Sequence, residues 1–127
     1  MSIGTLLRDG LANDNGVSAI VGSRIYPAIL PQTPTYPAIT YQRVSSTGQN
    51  GTSDRKESRW QVNCWGATYS EAVSLAAAVK AFAEEWHDVS ESPGIAWARV
   101  VNEFDDYDDV ADVYRIIVDV ILHTTGD

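Results

Sequence analysis

The hydrophobic pattern changes its period once, near the middle of the chain. Trp60, Val62 and Cys64 alternate with polar neighbours, which predicts a half-buried strand. Thr68 precedes Glu71 by three residues, the spacing of a capping box, in which the two side chains accept hydrogen bonds from backbone N–H groups at the start of a helix. The pattern therefore predicts a strand that is followed directly by a helix.

The predicted helix has an apolar stripe wide enough to cover one face of a sheet. The stripe comprises Ala72, Leu75, Ala76, Val79, Phe82, Ala83 and Trp86. Its other side carries Ala77, Ala78 and Ala81, small residues that would let a second helix or a neighbouring subunit approach closely. Alanine is also simply the best helix former, so this second feature has two interpretations.

The N-terminal region predicts two short helical segments. Ser2 is placed to cap the first, whose apolar positions have helical spacing: Ile3, Leu6, Leu7 and Leu11. A further helical turn is expected at 17–21, followed by a brief extended segment at 24–26. A proline-rich link at 30–37 should be stiff and extended.

Three more segments have strand patterns, at 38–45, 95–101 and 113–123. The last two should form an antiparallel hairpin. The alternation of the strand patterns predicts that Trp60 and Trp97 point inward, and the apolar stripe of the helix predicts the same for Trp86. Trp65 falls on the polar side of its strand. An exposed indole at that position is a candidate interface anchor, because Trp is enriched among residues that dominate binding energy.

The segment 45–58, SSTGQNGTSDRKES, contains no large apolar residue. It is too long for a tight hairpin turn, and long connections without their own structure are usually functional or disordered. We expect a polar loop or arm here. Together the elements predict one α+β domain spanning 1–127, with a mainly antiparallel sheet of about four to five strands packed against a long central helix and a short N-terminal helix.

Composition excludes several classes of protein. The net charge of −8 argues against a protein that binds nucleic-acid phosphates or an anionic membrane surface. Cys64 is the only cysteine, so an intrachain disulfide and a multi-cysteine metal site are excluded, and we expect Cys64 to be a small buried hydrophobe. No secretory signal is visible, which predicts an intracellular product.

An acidic cluster between the last two strands is the first place to look for chemistry. It contains Glu103, Asp105, Asp106, Asp108, Asp109 and Asp112. Carboxylates are suitable ligands for a hard cation, but the cluster lacks the ligand alternation and central glycine of an EF-hand loop, so solvated acids are expected. His87 and His123 have no catalytic motif beside them, and no phosphate-binding loop is present. We expect no cofactor and no catalysis.

Several short patterns, in this order, resemble the tail-completion or tail-terminator family of long-tailed bacteriophages and prophages. They are VGSRIYP at 21–27, LPQ at 30–32, YPAITYQ at 36–42, RWQVNCW at 59–65 leading into TYSEA at 68–72, and YRIIVDV at 114–120. The resemblance covers nearly the whole chain. It rests on structural motifs and not on a reactive site.

The resemblance implies a structural protein that forms a homo-oligomeric ring, typically a hexamer, at the head-proximal end of the virion tail. Such a ring caps the tail tube, stops its polymerisation and joins the tail to head-tail connector proteins, and DNA passes through its lumen without specific binding. Assembly would take place in the cytoplasm of the host bacterium, with no membrane involved. Two alternatives are a connector or neck subunit of related fold, and a small metal-dependent enzyme that uses the acidic cluster.

If the protein forms such a ring, the arm is a candidate contact with a neighbouring subunit or with the tube. Its charged residues would supply electrostatic complementarity: Asp54, Arg55, Lys56, Glu57 and Arg59. Trp65 would anchor the contact. Acidic residues lining a lumen would repel phosphates and let DNA slide.

Overall fold

The computed structural model describes residues 2–48, 56–84, 86–90 and 93–125. Three helices and five strands follow one another as α1 (Ile3–Asn13), α2 (Asn15–Val21), β1 (Ile25–Pro27), β2 (Ala38–Gly48), β3 (Lys56–Gly66), α3 (Tyr69–Ala83), β4 (Gly94–Asp108) and β5 (Val113–Thr125). The predicted α+β class is confirmed. None of the described helices combines the length and apolar character needed to cross a membrane.

The five strands form one sheet in the order β1-β2-β3-β5-β4. Only β1 runs parallel to its neighbour, and the other pairs are antiparallel, including the predicted hairpin of β4 and β5. Strand β5 lies between β3 and β4, so the strand that ends the described chain is at the interior of the sheet. Helix α3 packs against β3 and β5, and α1 packs against β1 and β2.

The core lies between these helices and one face of the sheet. The predicted stripe of α3 is buried at Ala72, Leu75, Ala76, Val79 and Ala83. Phe82 and Trp86 are partly buried against the same core. The helix itself ends at Ala83, so the prediction that Trp86 belongs to it is wrong.

The predicted helix start is confirmed with one change of partner. Thr68 Oγ1 accepts a hydrogen bond from the Glu71 N–H, as a capping box requires. The Glu71 carboxylate instead accepts from the N–H of Ala67, one residue before the cap. Both side chains still pair with backbone donors, and this stabilises the abrupt turn from β3 into α3.

Strand β4 contains two irregularities that overturn part of the predicted alternation. Its pairing with β5 shifts between Ile95 and Trp97, and again between Val100 and Asn102. A bulge inserts one residue and moves every later side chain to the opposite face. Ile95 is buried in the core, but Trp97 lies on the other face with 44% of its surface exposed. The prediction that Trp97 points inward is therefore wrong.

The segment 45–58 is less of a loop than the sequence indicated. Strand β2 continues to Gly48 and β3 begins at Lys56, and the two pair up to the Gly48–Lys56 register position. The polar residues of this end of the hairpin are accommodated within the paired strands, and Ser58 is buried there at 4% exposure. The connecting residues 49–55, which include Asp54 and Arg55, lie outside the described residues.

The acidic cluster is also placed differently from the prediction. Glu103, Asp105, Asp106 and Asp108 belong to the last part of β4, and the turn itself is confined to 109–112. Successive side chains of a strand point to opposite faces. The acids are therefore divided between the two faces of the sheet and do not converge in one loop.

Candidate interaction surface on the open face of the sheet

The second face of the sheet carries no described helix. We call it the open face, and its side chains include Thr40, Gln42, Glu57, Arg59, Gln61, Asn63, Trp65, Trp97, Arg99, Asn102, Phe104, Asp106, Asp108, Arg115, Ile117, Asp119, Ile121 and His123. Cross-strand pairing places Thr40, Asn63, Ile117 and Phe104 in one row from β2 to β4. No side chain of the open face belongs to the core that the helices cover.

The centre of the open face is polar and nevertheless buried. Thr40, Asn63 and Asp119 are each at most 4% exposed. The Thr40 hydroxyl oxygen accepts hydrogen bonds from Asn63 Nδ2 at 3.1 Å and from Trp65 Nε1 at 2.9 Å. The guanidinium of Arg115 lies over the Trp65 ring, 5.1 Å from its centroid. Trp65 is therefore on the predicted outer side of β3, half-buried and held in one orientation.

Two ion pairs neutralise charge on this face. Arg59 donates to the Asp119 carboxylate at 2.6 Å, and Arg115 pairs with Asp106. The hydrogen bond and the positive charge of Arg115 lower the pKa of Asp106 below its usual value. The open face thus carries little net charge, in contrast with the chain as a whole.

Aromatic side chains lie along the β4 edge of the open face. Trp97 stacks on His123 with ring centroids 5.0 Å apart, and Phe104 is 43% exposed. The guanidinium of Arg99 lies over the Trp97 ring, 5.6 Å from its centroid. Exposed Trp and Arg side chains of this kind are the residue types most enriched at binding hot spots.

Three buried polar atoms of the described residues have no hydrogen-bond partner, and all three lie on the open face: Asn63 Oδ1, Arg115 Nε and His123 Nε2. Whichever way the Asn63 amide is turned, one end meets Thr40 and the other remains unpaired. Glu57 Oε1 is 3.7 Å from His123 Nε2, too far for a hydrogen bond. Buried polar groups are normally paired, so three unpaired atoms on one face are an unusual feature of this sheet.

The predicted interface residues are only partly brought together. Trp65, Arg59 and Glu57 lie on the open face, Glu57 opposite His123, whereas Lys56 at the start of β3 points to the other face. The sequence pattern did not single out Asn63, Arg99 or Phe104. Only the polar alternation of β3 could have indicated Asn63, because the other two depend on the bulges of β4.

The acidic cluster does not form a cation site in the described part of the chain. Its carboxylates take separate partners: Asp105 accepts from Tyr69, Asp106 from Arg115, Asp108 from the N–H groups of Val110 and Ala111, and Asp112 from Tyr107. No group of three or more metal-ligating side chains is found among the described residues. Asp106, Asp108 and Asp112 take these partners within the β4–β5 hairpin, and Asp105 connects the hairpin to α3.

The family model for the tail completion protein gp17 matches residues 5–124. The chain belongs to this family. The family resemblance read from the sequence motifs is thereby confirmed, and the protein is a structural component of phage tail assembly. No curated protein matches the chain.

A solved structure supports the fold of this tail completion protein. A chain from the virion of a native gene transfer agent particle superposes with a TM-score of 0.70 at 18% sequence identity. The match covers 94% of this chain and 92% of that one. The two-layer arrangement of helices on one face of the sheet is thus shared by a chain of very different sequence.

The Arg59–Asp119 pair makes a testable contribution to stability. Replacing Arg59 with alanine leaves Asp119 buried without its charged partner, so we expect the free energy of unfolding to fall by about 1–2 kcal/mol. Urea unfolding followed by circular dichroism measures the change. The matched control is Arg8→Ala, because Arg8 and Asp9 form an ion pair in which both side chains are well exposed, and this change should cost less than about 0.5 kcal/mol. Equal losses in the two variants would contradict the prediction.

Proposed function

We propose that this tail completion protein is a ring-forming tail terminator. The ring caps the finished tail tube, stops its polymerisation and offers its other side for joining the tail to the head. The observation that carries the proposal is the family match over residues 5–124. The similarity in fold to a chain of a gene transfer agent virion supports a place in the virion. We propose that this place is the head-proximal end of the tail.

The mechanism of a terminator is geometric and needs no reactive group. A subunit that repeats one heterologous contact closes into a ring when the rotation between subunits is suitable. The closed ring matches the end of the tube on one side, and its other side does not template another tube ring. The partners are other copies of this chain, the tail tube protein and the head-tail connector proteins. DNA passes through the lumen, whose acidic residues repel its phosphates.

The residues proposed for these contacts combine the sequence prediction with the open face. Trp65 is the candidate anchor, and Arg59 and Glu57 are candidate charged contacts on the same side of β3. Lys56, on the other side of β3, is a further candidate, as are Asp54 and Arg55 in the residues that the structure does not describe. Trp65 is favoured because its indole is fixed by Thr40 and Arg115 before any partner binds, which reduces the entropy lost on association.

The decisive experiment adds the purified protein to tail tube protein during polymerisation. We expect tubes to stop growing and to carry a ring at one end in electron micrographs, and native mass spectrometry to show one defined oligomer. Tubes that lengthen without limit in the presence of the protein would refute the terminator role. Binding to the head portal complex and not to tubes would assign the connector role instead.

A further inference from the structure

We propose that the subunits of the ring meet through a Trp97–Arg99 knob on the open face of one copy, which inserts into an acidic cleft on the helical side of the next copy. The acidic cleft is formed by Asp9, Asp14 and Asp88 around the rings of Phe82 and Trp86. This inference rests on the proposed ring and names the contact that closes it.

The knob is built by the first bulge of β4. Because the pairing shifts after Ile95, the Trp97 side chain leaves the core and stands on the open face beside Arg99. His123 stacks on the Trp97 ring and fixes its orientation. Arg99 is exposed and forms no ion pair within the described part of the chain. A pre-oriented Trp beside an unpaired Arg is a strong candidate for a binding anchor.

The acidic cleft lies on the other side of the molecule, between α1 and the end of α3, and has a volume of about 440 Å³. Phe82 and Trp86 form its aromatic wall, with ring centroids 4.7 Å apart. Hydrogen bonds from Ser90 lower the pKa of Asp88, so this carboxylate stays charged well below neutral pH. Among the described residues, Arg8 is the one basic side chain that forms an ion pair with a cleft acid, Asp9.

The chemistry of the cleft fits a guanidinium. A planar cation can stack on an aromatic ring while donating hydrogen bonds to carboxylates at its edge, and Arg does this better than Lys. The volume is within the ~300–1,000 Å³ typical of ligand pockets, so a whole side chain can enter. The cleft therefore selects an exposed arginine with an apolar neighbour, which describes the Trp97–Arg99 knob.

A second copy of this chain is the occupant that the charges favour. The molecule has a net charge of −8, yet the open face is nearly neutral and carries Arg99 at its edge. The knob is on the open face of the sheet and the cleft is among the helices on the other side, so they cannot meet within one chain. A contact between two different surfaces of identical subunits is heterologous, and repetition of such a contact generates a ring or a filament.

Charge reversal of the knob tests the contact. We expect Arg99→Glu to weaken self-association at least about thirtyfold, as for the loss of a hot-spot residue, in sedimentation and native mass spectrometry. The matched control is Arg43→Glu, since Arg43 is also exposed and also lies over a tryptophan, with its guanidinium 5.7 Å from the Trp60 ring centroid, but it is not on the open face. This variant should assemble like the wild type. Circular dichroism confirms that both variants are folded.

Mixing experiments test whether the contact is heterologous. Asp9→Lys should also block assembly, with Arg8→Glu as the control that breaks the same ion pair without reversing a cleft acid. An equal mixture of Arg99→Glu and Asp9→Lys retains one intact knob and one intact cleft, and the two substituted sites again carry opposite charges, so the mixture should associate at least into dimers. A mixture that stays entirely monomeric would overturn the proposal.

The experiments distinguish a failure of this contact from a failure of the proposed function. If the wild type forms rings and arrests tubes, and Arg99→Glu does both equally well, the knob is not the contact and the terminator role stands. If the wild type remains monomeric alone and with tail tubes, both the contact and the terminator role are refuted.

Discussion

Replacing Trp60 with alanine is expected to lower the free energy of unfolding by about 3–5 kcal/mol, the usual cost of removing a buried tryptophan. Trp60 is 6% exposed and connects the sheet to the N-terminal helix. Its ring lies so close to Gly4 of α1 that a Cβ at that glycine would meet the ring edge at 3.3 Å. Loss of the ring therefore leaves a cavity between β3 and α1 that neither element can close.

The loss of a hydrogen bond adds to the free-energy cost of this cavity. Trp60 Nε1 donates a hydrogen bond to the Ser58 hydroxyl at 2.8 Å, and both groups are buried. Trp60→Phe, the matched control, keeps most of the ring and loses this hydrogen bond, so it should cost about 1–2 kcal/mol. Urea unfolding at one fixed protein concentration measures both variants, because self-association raises the apparent stability. A loss below about 1 kcal/mol for Trp60→Ala would refute the prediction.

Replacing Gly66 with alanine should destabilise the protein by about 3 kcal/mol, at the top of the usual range for overpacking. A Cβ at Gly66 would meet the backbone N of Ala72 at 2.5 Å and the carbonyl O of Thr68 at 2.9 Å. These atoms belong to the first turn of α3 and cannot move like a flexible side chain. The helix would have to shift away from β3, on which it packs.

Gly22→Ala is the control for this variant. Gly22 has a φ of +58° and no atom within 4 Å of an added Cβ, so alanine there meets backbone strain without a clash. With a ψ of −120° this is a conformation that only glycine adopts readily, so we expect backbone strain to cost about 1–2 kcal/mol. Thermal unfolding of both variants gives the comparison. If Gly66→Ala lowers the stability no more than Gly22→Ala does, the close approach of β3 and α3 does not require a glycine at position 66.

The fold was predictable wherever neighbouring residues carry the information. The alternation of Trp60, Val62 and Cys64 and the Thr68 cap were read from the sequence and are confirmed by the structure. The helix end was not, since the helical apolar spacing continues past Ala83 to Trp86 although the helix does not. Apolar spacing indicates which residues reach the core, and it indicates less well where the helical hydrogen bonds stop.

The candidate site was much less predictable. Trp65 and Arg59 were selected from the polar side of β3, and the structure places them on the open face. Arg59 finds its partner at Asp119, 60 residues later, and no local pattern specifies such a pairing. Trp97 was assigned to the core because a strict alternation was assumed, and a bulge of one residue reversed it.

The sequence by itself determined the strand-to-helix junction at the centre of the chain, the apolar stripe of α3, the α+β class and the family. These features depend on periodicity, caps and short motifs, which act over a few residues. Only the tertiary structure decided that β5 lies between β3 and β4, that two bulges redirect β4, and that one face of the sheet carries no described helix. Strand order and register depend on pairing between distant segments, so they are set by the free energy of the whole sheet and not by any one stretch of sequence.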